Sequence, residues 1–100
     1  MSFDRKRKLK RPATAFCGKG QPVRSRTGRT RGKVYYVTDV FTDKYGKRFA
    51  LVCDGERYTT ASPKRKSVGH LEPLAAEDAL QNSALLRSDA EIRQFLMQYR

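Results

Sequence analysis

Two apolar segments stand six residues apart: KVYYVTDVF at residues 33–41 and RFALVCD at 48–54, with TDKYGK between them. No other feature narrows the fold as much. The first segment is rich in β-branched and aromatic residues and too short for a stable helix, which predicts a strand. The second is apolar at Phe49, Leu51 and Cys53 and again at Ala50 and Val52, the pattern of a central strand covered on both faces. A connection this short leaves antiparallel pairing, with Gly46 supplying the positive φ that a hairpin turn requires. Tyr35 and Val37 share a parity that Val40 breaks, so a bulge or sharp bend is expected near Asp39.

Further strand signals flank this pair. PVRSR, from Pro22, alternates and stops at a glycine turn. After the DGE turn, RYTTA at residues 57–61 predicts a fourth short strand, halted by Pro63. KRKSVGHLEP reads as a basic knuckle followed by a last extended piece around Val68 and Leu71. Five short strands joined by turns predict a mainly β protein, a small antiparallel barrel whose closure removes exposed edges. The C-terminal segment SDAEIRQFLMQYR changes period. Ser88 and Glu91 form a capping box, and Ile92, Phe95, Leu96 and Tyr99 make one helical stripe. The stripe is expected to pack on the barrel, with a partner-binding helix as the alternative. A shorter helix is expected at residues 75–80.

Charge sets the functional class. The chain of 100 residues carries a net charge of +12. Residues 1–33 hold twelve Lys and Arg against one acid, whereas residues 71–100 hold five acids and three Arg. Concentrated positive charge exchanges small counterions for a polyanion, the footprint of nucleic-acid binding. An anionic membrane surface is the competing partner, but no apolar run reaches the ~20 residues of a span, and no amphipathic anchor follows the basic N-terminus. No apolar stretch of a secretory signal follows it either. Cys17 and Cys53 are read as reduced thiols of a cytoplasmic protein, a disulfide being the lesser alternative. They form no zinc-type pattern, and neither a metal nor a cofactor is expected. His70 stands alone, a hydrogen-bonding or stacking residue and not a base, and no catalytic set is visible.

The basic residues fall into three groups. Arg5, Lys6, Arg7, Lys8, Lys10 and Arg11 form a like-charge block, expected to be an RNA-binding arm ordered only by a polyanion. SRTGRTRGK, residues 25–33, lies between two strands and is therefore a loop of fixed length. Gly28 and Gly32 permit tight bends and close approach to a phosphate, with Arg24, Arg26, Arg29, Arg31 and Lys33 around that approach. Lys64, Arg65 and Lys66 form the third group. Tyr35, Tyr36, Tyr45 and Tyr58 lie among these segments, where an exposed ring could stack on an unpaired base.

Residues 20–40, GQPVRSRTGRTRGKVYYVTDV, resemble a KOW motif whose fixed glycine falls on Gly32. The longer match is to KOW-domain RNA-binding proteins related to the large-subunit ribosomal proteins L-fourteen-e, L-six-e and L-twenty-seven-e and their short bacterial relatives. Gly20, Val23, Ser25, Gly28, Arg29, Gly32 and Lys33 carry its opening, Asp54 and Gly55 its middle, and Pro63, Lys64, Lys66, His70 and Leu71 its end. The resemblance covers residues 18–73. A basic arm at 1–17 and a helical extension at 74–100 lie outside it. It implies an SH3-like barrel, no catalysis, RNA as partner (ribosomal RNA most often, with neighbouring ribosomal proteins) and a monomer off the ribosome. The alternatives are a transcription-elongation-type KOW module and a protein-interaction module using the barrel or the C-terminal helix.

Overall fold

The structure, a computed structural model, describes residues 18–75 and 85–100. The basic arm, Cys17 and all but the first residue of the helix expected at 75–80 lie outside the described residues. Five strands form one antiparallel sheet: β1 (Pro22–Ser25), β2 (Val34–Thr42), β3 (Arg48–Cys53), β4 (Lys64–Ser67) and β5 (Leu71–Pro73), in the order β4-β3-β2-β1-β5. A single helix of more than one turn is described, α1 (Asp89–Leu96).

β2 is the spine of the sheet, pairing with β1 through its first half and with β3 along most of its length. The register with β3 shifts between Val37 and Asp39, so the bulge expected near Asp39 is present. The hydroxyl of Thr38 at that shift donates to the Leu51 carbonyl at 3.1 Å. Bulged strands twist and bend, which lets one strand serve two halves of a curved sheet. Val23, Tyr35, Val37, Ala50, Val52 and Leu71 fill one face, with Val40 packed against them. Val34, Tyr36 and Cys53 point the other way and meet Ile92 and Leu96 of α1.

An isolated helix of eight residues is too short to persist in water, so packing must hold α1. Ile92 and Leu96 are fully buried, and the ring of Phe95 meets Tyr36 edge-on at 5.7 Å. The Ser88 hydroxyl caps the helix by accepting from the backbone N–H groups of Ala90 and Glu91. Two polar contacts fix α1 on the loop after β3: Asp89 Oδ1 accepts from the Thr60 N–H at 2.9 Å, and Arg93 donates to the Gly55 carbonyl at 2.9 Å. The expected stripe thus packs on its own sheet.

Two expectations are corrected. Residues 57–61 form no strand. Asp54 Oδ1 accepts from the N–H groups of Glu56 and Tyr58, and the Tyr58 carbonyl accepts from Asp54 and Gly55, which spends this backbone on a tight turn. The fourth strand is instead KRKS, read as a knuckle, where Pro63 precedes the strand rather than ending one. A short edge strand tolerates charge, so apolar periodicity does not reveal it. Hydrogen bonding also leaves the sheet open: β4 and β5 are the two ends of the order, joined only through the 3-10 turn Val68–His70. Among the described residues, no helix is long and apolar enough to cross a membrane.

Gly55 sits at φ 81°, and a Cβ there would overlap the Asp89 carbonyl and approach Arg93 Cγ to 2.7 Å. Gly46 has nearly the same φ, 84°, with open space around it. Urea unfolding should therefore separate them: Gly46→Ala costs about 1 kcal/mol of backbone strain, whereas Gly55→Ala costs about 2–4 kcal/mol because the helix must also shift.

Burial, with Asp89 and Asp54 as lesser causes, pushes the Cys53 thiol from 9.0 up to about 11. A raised folded-state value keeps its stabilisation intact below the unfolded value and loses it as pH rises through the folded one. In a Cys17→Ser background, stability should fall between about pH 9 and 11, and Cys53→Ala should make that decline shallower in urea titrations.

Candidate nucleic-acid interface

The loop between β1 and β2 is built, not slack. Its neck is closed by the Ser25 N–H donating to the Lys33 carbonyl at 2.9 Å and the Gly32 N–H to the Ser25 carbonyl at 2.8 Å. Between them runs a 3-10 turn, Gly28–Thr30. Gly28 and Gly32 take φ 71° and 87°, and no other group lies within 4 Å of where a Cβ would stand. Their conformation, and not crowding, requires glycine, and the open space leaves the backbone approachable. The Arg26 N–H donates to the His70 carbonyl at 2.9 Å, which ties the loop to the turn before β5.

A lysine from another strand completes the bracing. Lys66 on β4 donates to the Ser25 hydroxyl at 2.9 Å and to the Thr30 hydroxyl at 2.8 Å, which are themselves 2.8 Å apart. Burial first, then the charge of Lys64, pushes the Lys66 ammonium below its ordinary value. Lys66 was expected on the binding surface. Its bonds make it an internal strut, because a partly buried ammonium is held by whatever acceptors satisfy it.

The other expected residues divide by position. Arg29 and Lys33 of the loop and Lys64 of β4 together line a cleft of about 520 Å³. Arg57 and Tyr58, from the turn after β3, line it too, as do Asp54 and Tyr35. Arg26 and Arg31 are exposed on the loop outside the cleft. Arg24 does not join them: its guanidinium donates to the Tyr99 carbonyl at 3.1 Å on the helix side of the sheet. Gly32 and Lys33 also border a second cleft there, of about 400 Å³, with Arg24 and Arg100. Arg65 alternates away from Lys64 and Lys66 and lies 4.9 Å over the ring of Phe49.

Tyr58 is the one tyrosine of the four set among cations at the cleft. Lys64 lies 5.1 Å and Arg57 5.9 Å from its ring centroid, and a hydrogen bond with Arg57 leads the influences that lower its phenol pKa. Tyr35 and Tyr36 are buried in the two cores, with phenols pushed up chiefly by burial. Tyr45 is 82% exposed at the β2–β3 hairpin. Arg57 was missed by sequence reasoning because RYTTA reads as a strand. The nearest signal was the Asp-Gly turn just before it, which bends the chain towards β4. Among the described residues, no group of three or more His, Cys, Asp and Glu could hold a metal ion. Compared with known proteins, the chain matches no family model and no curated sequence.

The two neighbouring lysines should separate in experiment. Lys64→Ala should reduce the slope of log affinity for RNA against log salt by about 1 and leave folding intact. Lys66→Ala should cost about 1–2 kcal/mol of stability in urea unfolding, because the Ser25 and Thr30 hydroxyls each lose one hydrogen bond but keep each other and the Thr27 carbonyl.

Proposed function

We propose that the protein binds structured RNA, large-subunit ribosomal RNA above all, as a cytoplasmic component or assembly partner of the ribosome that catalyses no reaction. The observation that carries this reading is the convergence of Arg29 and Lys33 from the loop with Arg57 and Lys64 on one cleft. None of these four is in an ion pair among the described residues. Cations with no ion-pair partner among the described residues lower the cost of bringing in phosphates, and arginine adds a planar fork that pairs with phosphate oxygens.

We read the open sheet as an SH3-like barrel of the KOW type. Its support is the bulged β2 shared between β1 and β3, and the 3-10 turn leading into β5. The residues that carry the KOW resemblance fall where such a loop needs them, with Gly28 and Gly32 at positive φ and Lys33 closing the neck. Packing of Ile92 and Leu96 on the sheet supports this reading over one in which the helical stripe binds a protein partner.

Six cations, Arg26, Arg29, Arg31, Lys33, Arg57 and Lys64, are placed to reach phosphates, which predicts a slope of log affinity against log salt of at least about −4 to −5. Arg29→Ala should remove about 1 from that slope and weaken diverse RNAs alike. Lysate fractionated on sucrose gradients should place the protein with the large ribosomal subunit at low salt and release it at high salt. A flat salt dependence, or residence only in free or membrane fractions, would sink the reading.

A further inference from the structure

Phosphate alone does not account for the lining of the cleft beside the loop. Its volume of about 520 Å³ lies within the roughly 300–1,000 Å³ at which proteins enclose small ligands. Arg29, Lys33, Arg57 and Lys64 supply cations from three separate segments. Asp54 lines the same space, and a carboxylate opposes a bare polyanion. Its Oδ1 is taken by the N–H groups of Glu56 and Tyr58, and Oδ2 has no donor among the described residues. Tyr58 adds a half-buried ring. A ligand that satisfies every one of these groups carries a phosphate, a flat ring and N–H donors. A nucleotide has all three, whereas inorganic phosphate has one.

We propose that this cleft receives one unpaired nucleotide of a bound RNA, its base against Tyr58 and its phosphate on Arg29, Lys33 and Lys64. The inference rests on the RNA-binding reading above and adds an occupant to it. The nucleotide must be unpaired, because a base stacked in a duplex cannot present its face to a side chain. Lys64 and Arg57 lie over the ring of Tyr58. Both are long and flexible, and they turn from the ring to the incoming phosphate as the base takes their place. The free Oδ2 of Asp54 then accepts one N–H from the pairing edge of the base, such as the ring N–H of guanine.

The test compares a short, fully paired RNA duplex with the same duplex carrying a single guanosine bulge, by fluorescence anisotropy at fixed salt. The bulged duplex should bind about tenfold tighter. Tyr58→Leu should abolish that preference, bringing the ratio of the two affinities to about one, while Tyr58→Phe should keep it. Equal affinity of the unaltered protein for the two duplexes overturns the proposal and leaves RNA binding standing. Failure to bind either one overturns both. A photoreactive thiouridine at the bulge should crosslink within residues 57–64, which decides the matter even if Tyr58→Leu fails to fold. A crosslink confined to other segments overturns the assignment. Free guanosine monophosphate should compete only at large excess. If it binds as tightly as the bulged duplex, the cleft belongs to a soluble nucleotide and the proposal falls.

Discussion

Four consecutive residues of β2, Val34 to Val37, are buried, and a strand sends successive side chains to opposite faces. Such a strand needs cover on both sides, and a small sheet can supply only one by curling on itself. Tyr35 and Val37 take the concave side with β1, β3 and β5. Val34 and Tyr36 require something else, and α1 provides it through Ile92 and Leu96. The helix is therefore structural, although it lies outside the residues that resemble a KOW domain. The same requirement fixes the loop of residues 26–33, because β1 and β2 hold its two ends in register.

The basic loop illustrates how a cation can serve shape. An arginine-rich segment with two glycines would sample many conformations if its neck were all that held it. The Lys66 ammonium removes part of that freedom by holding two hydroxyls on opposite limbs of the loop, alongside the 3-10 turn and the bond from Arg26 to His70. The entropy of ordering the loop is met on folding, so Arg29 and Lys33 stand over the cleft before any ligand arrives. One positive charge is withdrawn from solvent so that its neighbours can be presented at fixed positions.

How much of this was legible depended on whether local pattern or distant partners decided the outcome. β2, β3, the hairpin at Gly46, the bulge and the capped helix were readable, because each is written in neighbouring residues. RYTTA misled, since its β-rich composition is overridden by one carboxylate: Asp54 draws the backbone of Glu56 and Tyr58 into a turn. KRKS concealed a strand, because an edge strand of consecutive cations carries no apolar signal. The role of Lys66 could not be read locally, as its acceptors lie 41 and 36 residues away. In the candidate site, Arg29, Lys33 and Lys64 were identified from charge and spacing. Arg24 and Arg65 were assigned by the same rule and fall elsewhere, since strand alternation and the helix carbonyl direct them.

The turn at Asp54 and Gly55 touches two things at once. One side of it carries Arg57 and Tyr58 to the cleft, and the other bears the first turn of α1 directly on its backbone. Variation at one of these places would therefore disturb the other. A lineage that lost the glycine would need the α1 backbone at Asp89 and the side chain of Arg93 to move, and would carry an altered cleft until other changes allowed it. Such coupling would tie the C-terminal helix to the ligand-facing turn more tightly than their separation along the chain suggests.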